Sequence, residues 1–196
     1  MKSCDHYSSY GNLHLVTMKK NAYHVWLENK QLTTRSLKPR KANIELLHVD
    51  LCGPMEEMSR SGSKYGMPLV EDSEGLIIGH VLKQKSDAEE NIRNTILWFE
   101  NQFNIKVKIL RADRGGEFVS TKFKEWCQSR GIEQQFSHTG ESKENGVAER
   151  AHRTLLNSVR TMLDASGLDK SFWAEAFKFA VYNQNAVVHK RTGNIP

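Results

Sequence analysis

From Ile44 onward the chain moves between two hydrophobic rhythms. Ile44 to Leu51 is an apolar-rich run and predicts a strand. Tyr65 to Glu71 and Leu76 to Leu82 predict two more, separated by the turn-forming Asp72-Ser73-Glu74-Gly75. Ser86-Asp87-Ala88-Glu89 has the form of a capping box, and the helix it opens keeps Ile92, Ile96, Phe99 and Phe103 at helical spacing. Val107 to Leu110 predicts a short strand, Thr121 to Arg130 a helix closed by Gly131, and Ile132 to Phe136 a fifth strand. The polar stretch Gly140 to Asn145 reads as a loop. A long helix comes next, from about Val147 to Ala165, with Ala151, Leu155, Val159 and Met162 on one face and Gly167 as its stop. The last helix, about Ser171 to Asn185, carries Phe172, Ala176, Phe179 and Ala180. A hairpin-rich start followed by β–α alternation specifies an α/β domain, a five-stranded mixed sheet flanked by helices.

Residues 1–43 lack this periodicity and end in a basic linker, Leu37-Lys38-Pro39-Arg40-Lys41. They are expected to form a separate appendage to the domain at 44–196. Charge divides at the same place. The net charge is +5, yet residues 1–43 hold eight Lys/Arg against Asp5 and Glu28. The domain is therefore close to neutral, which argues against a simple DNA-coating protein and requires that any site there be specific. No apolar run approaches the ~18 residues of a membrane span, and Met1 to His6 lacks a signal-peptide core, so no membrane partner is expected. Cys4, Cys52 and Cys127 are odd in number and widely spaced. They offer neither a disulfide framework nor a Cys-x-x-Cys metal site, and Cys52 and Cys127 read as small buried apolar residues.

Three carboxylates sit where chemistry is plausible. Asp50 is on the first strand, Asp113 just after the fourth, and Glu149 at the start of the long helix, with 35 residues between it and Asp113. Gly115 and Gly116 would let backbone approach such a site. Clustered carboxylates repel, and hard divalent cations with oxygen preference resolve that conflict. Composition alone does not single out this trio, since 23 acidic residues make many triples.

The surroundings of the three residues do. Leu46-Leu47-His48-Val49-Asp50-Leu51-Cys52-Gly53-Pro54-Met55 resembles the first catalytic strand of copia-type retrotransposon integrases, and Arg111-Ala112-Asp113-Arg114-Gly115-Gly116-Glu117-Phe118 resembles their second aspartate motif. Asn145-Gly146-Val147-Ala148-Glu149-Arg150, with Arg153-Thr154-Leu155, resembles their glutamate helix, and Leu168 to Ala176 the helix after it. The similarity spans roughly residues 30 to 190. It implies an RNase H-like fold with a D,D-35-E site of Asp50, Asp113 and Glu149 holding Mg²⁺ or Mn²⁺, two ions being expected. In the family that site processes the ends of element cDNA and joins them to target DNA. The resemblance also implies DNA as partner, a homo-oligomer and action in the nucleus, and the stretch reads as an integrase-core fragment of a Pol polyprotein.

Departures from the family pattern set the rival readings. Arg114 replaces the usual Asn after the second aspartate, and Glu141-Ser142-Lys143-Glu144 replaces a proline-containing loop. The upstream zinc module of the family has Tyr7, Asn12, Tyr23 and Trp26 where ligands are expected, so zinc is not expected. Residues 1–43 thus read as a degenerate remnant of that module. A catalytically inactive remnant that binds nucleic acid or protein is the alternative, and a nuclease without joining ability a further one. Lys143, Arg150 and Arg153 are candidate phosphate contacts. His48 shares a strand face with Asp50 but reads better as a packed histidine, and Glu117 is either a fourth carboxylate or a structural acceptor. Phe172 and Trp173 read as core or interface aromatics, and Lys38 to Lys41 as a linker rather than an import signal.

Overall fold

A computed structural model describes residues 45–103, 106–113, 118, 120–136, 146–188, 193 and 195–196. The chain separates into two units, Met1–Lys38 and Pro39–Pro196, and all described residues lie in the second. Outside the description fall the expectations for Cys4, Tyr7, Asn12, Tyr23, Trp26 and Lys38 to Lys41. The same holds for Arg114, Glu117 and the loop containing Glu141 to Glu144 with Lys143.

Five strands form one sheet: β1 (Leu46–Val49), β2 (Tyr65–Glu71), β3 (Ile77–Leu82), β4 (Ile109–Ala112) and β5 (Glu133–Phe136). Their order is β3-β2-β1-β4-β5. β1, β2 and β3 pair antiparallel as a meander, and β4 and β5 add in parallel through helical crossovers. The turn between β2 and β3 is held by the buried Glu71, whose two carboxylate oxygens accept the Ser73 and Glu74 N–H groups at 2.6 and 2.7 Å.

Among the described residues, four helices cover the sheet: α1 (Asp87–Phe103), α2 (Thr121–Ser129), α3 (Gly146–Ser166) and α4 (Trp173–Asn185). Strand alternation decides which face each one covers. Val70 and its register partner Ile77 point to one face, where they pack with Leu155 and Val159 of α3 and Trp173, Ala174, Phe177 and Ala180 of α4. Gly79 lies on that face too. A Cβ there would stand 2.6 Å from Val181 Cγ2, so the missing side chain is what lets α4 lie against β3. Met67 and its partner His80 point to the opposite face, where His80 meets Thr95 of α1. Ile92, Ile96 and Phe99 of α1 are fully buried. The outer edge of β3 is closed by Asn185 at the end of α4. Its Oδ1 accepts the Ile77 N–H at 2.9 Å and its Nδ2 donates to the Ile77 carbonyl at 2.7 Å.

Several predicted boundaries shift. Of the predicted Ile44 to Leu51, β1 keeps Leu46–Val49 among the described residues, and Ile44 lies outside them. β4 begins two residues later than predicted, because Lys108 and Ile109 both donate to the Glu45 carbonyl and the parallel ladder starts there. The expected capping box is replaced by a reversed arrangement, in which Asp87 Oδ2 accepts from the Gln84 N–H (3.0 Å) and the Ser86 hydroxyl turns to Gln84 Oε1 (3.4 Å). The last helix is preceded by a 3-10 turn, Lys170–Phe172, capped by Asp169. Its buried face is Trp173, Ala174, Phe177, Ala180 and Val181, while Phe179 is 39% exposed. Trp173 is buried and its indole N–H donates to the Glu57 carbonyl at 3.0 Å, as a core aromatic would. Phe172 is half-buried beneath the Arg60 guanidinium, 4.8 Å from its ring centre. Cys52 and Cys127 are buried free thiols. No helix among the described residues is long and apolar enough to cross a membrane.

Candidate active site

The register of two strands brings the aspartates together. β1 and β4 run parallel, with Val49 opposite Ala112. Asp50 and Asp113 are the next residue on each, so they leave the sheet side by side at the carboxyl ends of adjacent strands, spaced about 4.8 Å apart in the ladder direction. Both are half-buried. Asp50 is two positions from His48, whose partner Val70 faces α3 and α4, so Asp50 opens toward α3. His48 itself is buried and hydrogen-bonds Asp72 Oδ1 at 3.2 Å, the packed histidine expected of it.

Glu149 stands in the first turn of α3, where the positive end of the helix dipole favours a carboxylate. It is half-buried, next to the fully buried Ala148. Ala148, Leu155 and Val159 form the stripe that α3 buries, and His152 lies on it, one turn beyond Glu149. His152 Nδ1 and Asp50 Oδ2 are 2.5 Å apart, a contact that ties the glutamate helix to the first aspartate strand. The hydrogen bond to Asp50 pushes the His152 imidazole up to about 10, the neighbouring Cys52 adds to this, and burial acts against it. The ring's Nε2 is buried and meets no hydrogen-bonding partner among the described residues. Cys52 lies just past Asp50, its thiol donating to the Gly66 carbonyl at 3.0 Å.

Sequence reasoning missed His152. Its signal was present as a polar residue at apolar spacing, on the stripe of Ala148, Leu155 and Val159. Arg150 and Arg153 are exposed on α3, away from the buried stripe. Lys143 lies outside the described residues.

Carboxylates are the donor type that hard divalent cations take. Among the described residues, however, no three His, Cys, Asp or Glu side chains are gathered closely enough to hold a metal ion. In this arrangement Asp50 is engaged by His152 instead.

Comparison with known proteins agrees with this geometry. Residues 40–142, more than half of the chain, match the family described as "Integrase core domain", a span that contains Asp50 and Asp113 but ends before Glu149. The retrovirus-related Pol polyprotein from transposon TNT 1-94 of Nicotiana tabacum is 36% identical over 167 residues, covering 85% of this chain. The chain spans only 13% of that polyprotein's length. Among solved structures, the HTLV-2 integrase catalytic core domain in complex with magnesium (trimeric form) aligns with a TM-score of 0.56 and 18% identity, covering 79% of this chain and 95% of that one. A chain of the simian T-cell lymphotropic virus intasome in complex with PP2A regulatory subunit B56 gamma aligns with a TM-score of 0.57 and 16% identity, covering 76% of this chain and 51% of that one. At these identities the structural matches speak for the fold alone, the RNase H-like architecture of integrase catalytic cores. The chain belongs to the integrase core domain family, in its copia-type retrotransposon branch.

Proposed function

We propose that this domain cuts and joins DNA phosphodiester bonds, with Asp50, Asp113 and Glu149 as the carboxylates that hold Mg²⁺ or Mn²⁺. The observation that carries the reading is the parallel register of β1 and β4, by which Asp50 and Asp113 follow directly paired residues at the ends of adjacent strands. A relative of the same fold was solved with magnesium, which supports divalent-metal use. Bound between carboxylates, such ions lower the pKa of an attacking oxygen and stabilise the leaving one. The chain's own groups supply the rest. The two aspartates offer hard oxygen donors from rigid strand ends, and Glu149 offers a third from a helix pinned to the sheet by Leu155 and Val159. Arg150 and Arg153, with Lys143 before them, supply cationic contacts to phosphate along the exposed side of α3. Water attacks in end processing and a DNA 3′-hydroxyl in joining. Assembly as a homo-oligomer that holds two DNA ends, and action in the nucleus, belong to the same proposal. Among relatives of this fold, one is a chain of an intasome and another was solved in a trimeric form, which supports the assembly.

The deciding experiment is Mn²⁺-dependent cleavage and joining of a labelled DNA duplex, beside an Asp113→Asn variant. Activity in the wild type that disappears in the variant is the expected result, and product lengths separate nicking from joining. A folded wild-type protein with no metal-dependent products overturns the enzymatic reading. It then favours the second one, a nucleic-acid-binding remnant. One observation already points that way, since an imidazole occupies an Asp50 oxygen that catalysis would need.

A further inference from the structure

The two halves of one sheet face are built differently. Residues paired across a ladder point to the same face, so Val70, His48, Arg111 and Gln135 form one row across β2, β1, β4 and β5. The inner half of that face, over β1, β2 and β3, carries α3 and α4, and Val70 and Ile77 are sealed into the core they form. The outer half is polar and keeps contact with solvent. Arg111 and Gln135 are half-buried there and Glu133 is exposed, whereas Leu110 and Ala112, on the other face of β4, are buried. Arginine is seldom fully buried, so its place in β4 suits a face that stays wet.

Arg111 is held in position on this half. Its Nε and Nη2 donate to Gln135 Oε1 at 3.2 and 2.6 Å, and Gln135 Nε2 donates in turn to Glu133 Oε1 at 3.0 Å. The neutral amide of Gln135 aims the guanidinium without cancelling its charge. An aimed guanidinium loses little freedom on binding, and its planar fork matches a phosphate. Asp113, two residues on, points to the same face roughly 6.6 Å further along the strand. That is the scale of one phosphate step along a DNA strand. We propose that DNA lies across this outer half-face and that Arg111 grips a backbone phosphate beside Asp113. This rests on the reading of the domain as one that acts on DNA, but the contact itself needs no metal ion. It adds the sheet to α3 as a surface that touches the DNA backbone.

The test is fluorescence anisotropy of a labelled blunt-ended DNA duplex, in EDTA and across a salt series. It compares the full chain as wild type, Arg111→Gln and Gln135→Glu, each first shown to be folded by circular dichroism. Gln135→Glu sets a carboxylate against the guanidinium, which keeps the tie between β4 and β5 while cancelling the charge. Both variants are expected to bind about fivefold more weakly, and their slope of log affinity against log salt to be shallower by about 0.9, the value of one lost phosphate contact. Wild-type affinity and slope in either variant overturn the proposal and leave the DNA reading standing. So does weaker binding at an unchanged slope, which would make Arg111 a structural tie only. No DNA binding by the wild type overturns the proposal together with the DNA reading. If the variants do not fold, the wild type still decides. Its Arg111 Nε–H resonance, followed by NMR, is expected to shift as the duplex is added. A resonance unmoved at saturation overturns the proposal.

Discussion

His80 shows how much one side chain can set the acid tolerance of this domain. It sits on β3 beneath α1, where burial pulls its imidazole down to about 4 from the usual 6.5. The Thr95 hydroxyl donates to the Asn91 carbonyl at 2.9 Å, so His80 Nε2 must be the donor in its 2.8 Å contact with Thr95 Oγ1. The neutral ring is thus satisfied as it stands. Between pH 6.5 and pH 4 the unfolded chain binds a proton here that the folded chain refuses. Stability is complete above pH 6.5 and falls as pH drops through that window, by on the order of 3 kcal/mol. Urea denaturation at pH 7 and pH 4.5 should show a smaller acid loss for His80→Gln than for the wild type. Equal losses would mean that other groups carry the acid sensitivity. At this scale the sequence placed Asp50 and Asp113 at the ends of β1 and β4 and Glu149 in the first turn of a helix, as the structure has them. His152 was not legible, because its role depends on which residue faces it across 102 positions of chain. Periodicity marks the buried stripe of a helix but not what that stripe meets.

Secondary-structure elements were legible to the extent that their ends are set locally. β2 falls where predicted because the Asp72 to Gly75 turn chemistry closes it, and α2 begins at Thr121 because Ser120 Oγ caps the Phe123 N–H at 3.2 Å. β4 moved because a parallel strand begins where its neighbour offers a carbonyl, and Val107 owes its burial to packing beside the ladder. A 3-10 turn over Lys170–Phe172 precedes α4 and sets the phase in which the helix begins at Trp173. That phase has a consequence at the helix end. It points Asn185 at Ile77, where the side-chain amide completes both hydrogen bonds of an edge-strand residue. Asn185→Ala should cost about 1–2 kcal/mol in urea denaturation with an unchanged m-value. A loss below about 0.3 kcal/mol would show that water replaces the amide at no cost.

For the whole molecule, the sheet order and the helices on both faces agree with the sequence pattern, since a meander followed by β–α units leaves few arrangements. The sequence pattern did not reveal how far the three carboxylates converge, because that depends on how α3 docks on the sheet. A ligand that binds only the folded arrangement stabilises all of it. At ten times its dissociation constant, Mg²⁺ should add about 1.4 kcal/mol and raise the melting temperature by roughly 3–6 °C, with Asp113→Asn insensitive. An equal rise in both proteins would place the cation elsewhere. Finally, the pair between Ile77 and Asn185 spans 108 positions. A ribosome adding about 5–20 residues each second takes roughly 5–20 s to cover that stretch. For all of that time the first hairpin has emerged while the group that seals its outer strand has not been made. The growing chain therefore carries an open β edge while those residues are added, and on crowded polysomes neighbouring nascent chains present the same edge to one another.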